Sequence, residues 1–304
     1  MELRHLRYFL AVAEEKHITR AAERLGMQQP PLSQQIKALE AEIGIQLFRR
    51  VPRGVELTSG GAAFLQEVRG ILSGVEHAVI KASRAAHGLE GTLLVGFSTS
   101  AIAHRLVPDL IRAYRQAYPG VALDLSGGNA AELTEAVAKG AIHAAIFRKP
   151  VVQPADVIFH SLLEEEMLAV LPLEHPLLEP KRRSKAQVIS LRALADEEFI
   201  LVRQPGAAGM YADLVAACHK VGFTPKIAVE VSDMLTNITL VGAAIGVSVV
   251  PASMRGFHGS RVAYCKLEDA DTLVAPISLA YRQTEADPVA LHFVALALGR
   301  HPPA

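Results

Sequence analysis

The chain has 304 residues, half of them hydrophobic and a fifth charged, with 31 basic residues against 31 acidic ones. Such a length allows about two domains of ~100–200 residues, and such an apolar content excludes a largely disordered chain. The two cysteines, Cys218 and Cys265, exclude a disulfide framework, no apolar run reaches the ~18 residues of a membrane span, and the stretch from Tyr8 to Ala13 is too short for a secretory leader, a combination that fits a reducing cytoplasm.

Leu3, Leu6, Phe9, Leu10 and Ala13 have the spacing of an amphipathic helix over residues 2–15. A second short helix is expected over 19–25, with Ala21, Ala22 and Leu25 facing inward and Gly26 as its break. A third opens near Pro30-Pro31, where first-turn amides need no intrahelical partner, runs through Leu32, Ile36, Leu39 and Ile43, and ends at Gly44. Helix, tight turn, helix within so few residues is a helix-turn-helix arrangement. Leu47–Arg50 and Val55–Thr58, either side of Val51-Pro52-Arg53-Gly54, read as a hairpin or wing. Residues 16–53 carry seven basic and three acidic side chains, so a local surplus of +4 sits on a neutral chain. That suits a small nucleic-acid-binding module joined to a larger domain.

Over residues 62–86, Leu65, Val68, Leu72, Val75, Val79 and Ala82 recur at spacings of three and four. This heptad seam predicts a long helix that seeks a partner helix. After His87–Gly91 the period changes. Strands are expected at Leu93–Phe97, Val121–Leu125, Ile142–Phe147, Phe199–Val202, Lys226–Val231, Val247–Val250 and Pro276–Tyr281, and the pattern also resumes at Met167–Leu171 and Leu191–Ala195. Helices are expected at Ala101–Tyr118, Ala130–Lys139, Ala207–Val221, Met234–Ala244 and Pro288–Leu298. The alternation predicts a parallel sheet with crossover helices, divided into two α/β lobes with ligand space between them. Lys181-Arg182-Arg183-Ser184-Lys185 reads as a solvated loop.

The first 61 residues, with their paired alanines, the QPPLS stretch, the LE near the third helix end, the LF and the LT-x-x-G, resemble the N-terminal domain of the LysR-type transcriptional regulators. From GTLLVGFSTS onward the chain is similar to that family's effector-binding domain, and GVSVVPAS resembles the branch that regulates breakdown of aromatic compounds. The resemblance implies a winged helix-turn-helix over 1–60, a linker and dimerisation helix over 61–88, and an effector domain over 91–304. That domain would consist of two Rossmann-like lobes of the periplasmic-binding-protein type, lobe I over 91–163 and 267–304 and lobe II, inserted into it, over 164–266. It further implies a cytoplasmic regulator that dimerises through 62–86, assembles as a homotetramer, and engages promoter DNA, RNA polymerase and a small-molecule effector.

With the third helix in the major groove, Gln28, Gln29, Pro30, Ser33 and Gln34 would lie against base edges. Glutamine can pair bidentately with adenine, and many members of the family carry arginine where Gln34 stands, so an A·T step is expected there. Lys37, Thr58 and the wing residues Arg49, Arg50 and Arg53 would contact phosphates or the minor groove. The bland alternative is that the glutamines are exposed helix formers.

In open α/β sheets ligands sit beyond the C-terminal ends of the strands. Ser98-Thr99-Ser100, Asn129, Arg148 and Val202-Arg203 all fall there, and two guanidiniums beside a helix start favour a carboxylate or sulfonate. By position Ser100 and Arg148 match family residues that hold carboxylate effectors, whereas Ala130 replaces a threonine of some aromatic-pathway members. The alternative is that Arg148 or Arg203 simply pairs with a nearby glutamate. A two-lobed solute-binding protein and an α/β enzyme are the rival functions. Gly96-Phe97-Ser98-Thr99-Ser100 is only a partial nucleophile elbow with no assignable histidine or acid, so no enzyme is expected. The 12 histidines show no metal-ligand spacing, the two cysteines are 47 residues apart, and no cofactor is expected.

Overall fold

The structure, a computed structural model, describes residues 1–150, 152–178, 187–203, 209–270 and 272–299, which form two compact units, 1–84 and 85–304. The basic run Lys181–Lys185 lies outside the described residues.

The first unit opens with α1 (Leu3–Glu15), α2 (Ile18–Arg24) and α3 (Gln29–Ile43). Gly44 closes α3 with φ 74°, a left-handed conformation that glycine adopts without steric cost. Leu32, Ile36 and Leu39 turn one face of α3 inward, onto Leu6, Phe9, Val12, Ala21 and Ala22. Phe9 is fully buried, with its ring 5.3 Å from that of Phe48 and 5.0 Å from that of Phe64. It thereby joins α1 to both the wing and the long helix. The wing is an antiparallel hairpin of β1 (Phe48–Val51) and β2 (Gly54–Leu57). Glu40 Oε1 accepts the amides of Leu47 and Phe48 at 2.8 and 3.1 Å, which fastens the wing to the end of α3.

The long helix α4 runs from Ser59 to Ala86, roughly 42 Å at about 1.5 Å per residue. Thr58 precedes it: its hydroxyl donates to Gln46 O at 2.7 Å and accepts from the Gly61 amide at 2.9 Å. Val68 is buried and Leu65 and Leu72 pack on the first unit's core. Further along the same seam Val79 is 65% exposed, with Ile80 beside it at 56%.

The second unit continues with β3 (Gly91–Phe97), α5 (Thr99–Ile102), α6 (Leu106–Ala117), β4 (Val121–Gly127), α7 (Ala130–Ala138) and β5 (Ala144–Phe147). Then come β6 (Val157–Pro172), β7 (Gln187–Ile189), a 3-10 turn at Leu191–Leu194, β8 (Glu198–Val202), α8 (Gly209–Lys220) and β9 (Lys226–Val231). The chain ends with α9 (Met234–Gly242), β10 (Ser248–Pro251), a 3-10 turn at Ala252–Met254, β11 (Val262–Leu267), β12 (Val274–Arg282) and α10 (Pro288–Ala297).

Strand β6 serves two lobes. From Val157 to Glu166 it pairs with β12, and from Met167 onward with β10 and β11. The first lobe has the order β4-β3-β5-β12-β6. It carries one core under α6 and α10, built on Val95, Leu110, Tyr114 and Phe293, and another under α7, built on Leu133, Val137 and Phe147. In the second lobe one core gathers Phe199, Leu214 and Cys218, and the other gathers Ile200, Ile238 and Val250 around α9. Each lobe is therefore a sheet with apolar layers on both faces.

Three expectations are corrected. The sheet is mixed: β3 runs parallel to β4 and β5, but β12 is antiparallel to β5 and β6. The chain reaches β12 from the second lobe and not through a crossover helix, so the parallel rule does not govern it. The helix expected over 101–118 is broken between α5 and α6, because His104 Nδ1 accepts the Leu106 amide at 3.1 Å and diverts it from the helical ladder. The pattern expected to resume at Met167–Leu171 resumes ten residues earlier, as a strand that runs through Glu164, Glu165 and Glu166.

Candidate functional site

In the second unit a cavity of about 120 Å³ lies between the lobes. The first lobe contributes Ser98, Thr99 and Ser100 after β3, Gly128 to Ala130 at the start of α7, and Arg148 and Lys149 after β5. The second contributes Met167, Leu201, Val202, Met210, Tyr211, Leu214, Met234 and Val249, a largely apolar set, together with the polar Ser232, Asp233 and Ser248.

Of the residues expected to bind effector, Ser98, Thr99, Ser100, Asn129, Arg148 and Val202 line this cavity, and Arg203 does not. Arg203 is exposed, donates to both oxygens of Glu230 at 3.1 and 3.2 Å, and lies 5.5 Å over the Tyr211 ring. The pairing with a glutamate, weighed as the alternative, is what Arg203 does. Arg148 is also paired: it meets Glu165 in a buried ion pair, and donates from Nη2 to Ser100 O at 2.7 Å and to Ser253 Oγ at 2.9 Å. Glu165 in turn accepts the Ser253 amide at 2.6 Å and its hydroxyl at 2.9 Å. Burial lowers the Arg148 guanidinium below its ordinary value, and Glu165 opposes that shift.

Two polar groups at this end still lack partners. Ser98 Oγ and Arg148 Nε are buried with no hydrogen bond among the described residues, and a buried donor left in that state costs about 1–3 kcal/mol. Asn129 uses its Oδ1 to cap α7, accepting from Ala131 and Glu132 amides at 2.9 Å, so only its amide nitrogen is left for a ligand.

The sequence reading passed over Lys149, whose Nζ lies 2.7 Å from both oxygens of Asp213 on α8. It also passed over Glu165, Ser253 and Asp233. Asp233 caps α9, accepting the Thr236 amide at 2.9 Å and hydroxyl at 2.7 Å, which holds its carboxyl below the usual range. The Ser232-Asp233 pair ahead of Met234 was a legible cap signal. Cys218 and Cys265 are buried in the second lobe, where desolvation pushes both thiols up to about 11 and leaves little reactive thiolate. Among the described residues no group of three or more His, Cys, Asp or Glu side chains could hold a metal ion, and no helix is long and apolar enough to cross a membrane.

The first unit presents a second candidate surface. Gln28, Gln29, Pro30, Gln34 and Lys37 are exposed along α3 and Ser33 is half-buried, on the side opposite Leu32, Ile36 and Leu39. Arg49, Arg50 and Arg53 are exposed on the wing, where Arg49 pairs with Glu56 at 2.8 Å. The Thr58 hydroxyl is engaged on both sides, donating to Gln46 O and accepting from the Gly61 amide at the start of α4.

Residues 3–62 match the bacterial regulatory helix-turn-helix proteins of the lysR family, and residues 86–301 match the LysR substrate binding domain. The chain belongs to the LysR-type transcriptional regulators. It is 36% identical to the regulator AlsR of Bacillus subtilis over 97% of this chain and 94% of that one. It is also 36% identical to BenM of Acinetobacter baylyi, over 94% of this chain and 91% of that one. Among solved structures, that of the LysR family regulator CbnR superposes with a TM-score of 0.84 at 29% identity, covering 98% of this chain and 100% of that one. CbnR has also been solved in complex with its target DNA. As a LysR-type regulator the chain is a DNA-binding protein with a two-lobed effector domain. Its relatives are variously named regulators, and membership of the family does not select the aromatic-degradation branch.

Proposed function

We propose that this LysR-type regulator is switched by a small molecule that places an anionic or hydrogen-bond-accepting head against Ser98 and Arg148 and an apolar body against the second lobe. The observation that carries this reading is the pair of buried, unpartnered donors, Ser98 Oγ and Arg148 Nε, at one end of a cavity with an apolar far wall. A carboxylate or sulfonate would satisfy both through charge-assisted hydrogen bonds. Because the lining residues come from both lobes, a bound ligand would favour one lobe arrangement in proportion to its differential affinity.

Ser98→Ala isolates the site from the fold. Since the Ser98 hydroxyl is buried and makes no bond within the described protein, the variant should be at least as stable as wild type, by up to about 1–3 kcal/mol once the unsatisfied donor is gone. Its response to a stabilising carboxylate should fall roughly tenfold in affinity, the worth of one hydrogen bond to a charged group. Thermal unfolding of the full chain against a panel of carboxylates and sulfonates, followed with a dye because the chain has no tryptophan, reads both. Hits that stabilise both proteins equally would place the ligand elsewhere.

On the DNA side the proposal assigns base-edge contacts to Gln28, Gln29, Ser33 and Gln34 and phosphate contacts to Lys37, Arg50 and Arg53, all of them at least partly exposed. The seam of α4 at half-buried Val75 and exposed Val79 and Ala82 is assigned to a second copy of the helix, which would set the spacing of two half-sites. Introducing Val75→Glu with Val79→Glu should weaken that dimer at least about a hundredfold by placing charges in an apolar seam. Sedimentation of the full chain tests it, and an unchanged assembly would contradict the assignment.

A further inference from the structure

The charge around the cavity is distributed unevenly. Among the described residues the charged side chains that line it are Arg148, Lys149 and Asp233. Glu165 pairs with the first and Asp213 with the second, so two cations face three carboxylates. At the Ser98 end there are unused donors. Beside Lys149 the cation is already matched by an anion: its ammonium lies 2.7 Å from both oxygens of Asp213, and the Asp233 carboxylate lies on the same lining.

We infer that the cavity selects a ligand with one anionic head and an uncharged far end, and that Asp213 is the specificity-determining residue that excludes a second negative charge. This rests on the head-group reading proposed above. A second carboxylate at Lys149 would have to share that one ammonium with Asp213 and come close to both the Asp213 and the Asp233 carboxylates. Like charges a few ångströms apart in a partly desolvated site repel strongly, so discrimination arises from a built-in repulsion as well as from fit. The pair also joins the lobes, since Lys149 follows β5 in the first and Asp213 stands on α8 in the second.

The test uses the full chain and matched probes: hexanoate with adipate, and benzoate with terephthalate. Dissociation constants are taken from thermal stabilisation of wild type, Asp213→Asn and Ser98→Ala. Asp213 is partly exposed, and asparagine keeps its shape while freeing Lys149. The expected result is that wild type prefers the monocarboxylate of a pair. In Asp213→Asn the dicarboxylate should bind about tenfold more tightly, with the monocarboxylate unchanged within about twofold. A dicarboxylate that stabilises wild type as well as its partner, in a Ser98-dependent manner, would overturn this inference and leave the head-group reading standing. Monocarboxylate binding with no gain for the dicarboxylate in Asp213→Asn would likewise overturn it. Absence of any response from wild type to either class would overturn the head-group reading and the inference together.

Discussion

Arg148→Ala is expected to destabilise the effector domain by about 3 kcal/mol, the lower end of the cost of breaking a buried ion pair. Both partners are withdrawn from solvent, with side chains 5% exposed for Arg148 and 9% for Glu165. Removing the guanidinium leaves Glu165 buried with only Ser253 to solvate it, which is why the lower end applies. It also frees Ser100 O, which now accepts from Arg148 Nη2. For a unit of this size the loss corresponds to roughly 6–12 °C in melting temperature, measured by calorimetry of the full chain. The companion variant Arg148→Met with Glu165→Leu should recover most of it, because replacing a buried pair by apolar groups is often neutral. A single variant as stable as wild type would mean that the network around Ser253 does not hold the lobes.

Ser33→Ala with Gln34→Ala should cost at least about 2 kcal/mol of sequence discrimination, some thirtyfold between an operator and random duplex. Gln34 is exposed and Ser33 half-buried, and neither belongs to the buried face of Leu32, Ile36 and Leu39, so the fold of the first unit should be retained. Lys37, Arg50 and Arg53 remain, and with them the phosphate contacts that set weak binding and its salt slope. Binding isotherms at several salt concentrations separate the two effects. If the variant kept wild-type discrimination, base reading would have to be sought in the wing.

What the sequence disclosed depended on how local each signal was. Leu32, Ile36 and Leu39 announce their helix and its buried face within a few residues, and the Gly44 stop lies next to them. Ser98-Thr99-Ser100 stands at a strand end, where sheet geometry alone places a ligand. The second lobe's half of the cavity was less legible, because Met210, Tyr211 and Met234 look like ordinary core residues until the lobes are brought together. Glu164-Glu165-Glu166 carries no apolar alternation, yet it is strand. Its central carboxylate is tolerated inside only because Arg148, seventeen positions earlier, arrives from β5. No period in the sequence reports such a pairing. Arg203 shows the converse: its place after β8 suggested a ligand contact, but the adjacent strand β9 offers Glu230, and the side chain turns to it.

Occupancy of the Ser98–Arg148 end is expected to alter how the protein engages DNA. The direct measurement is a footprint of the full chain on duplex from upstream of its own reading frame. It is taken with and without a carboxylate that stabilises wild type but not Ser98→Ala. The expected result is a ligand-dependent change in the length or spacing of the protected region for wild type and none for Ser98→Ala. An identical wild-type footprint at ligand concentrations that saturate the thermal shift would contradict the claim.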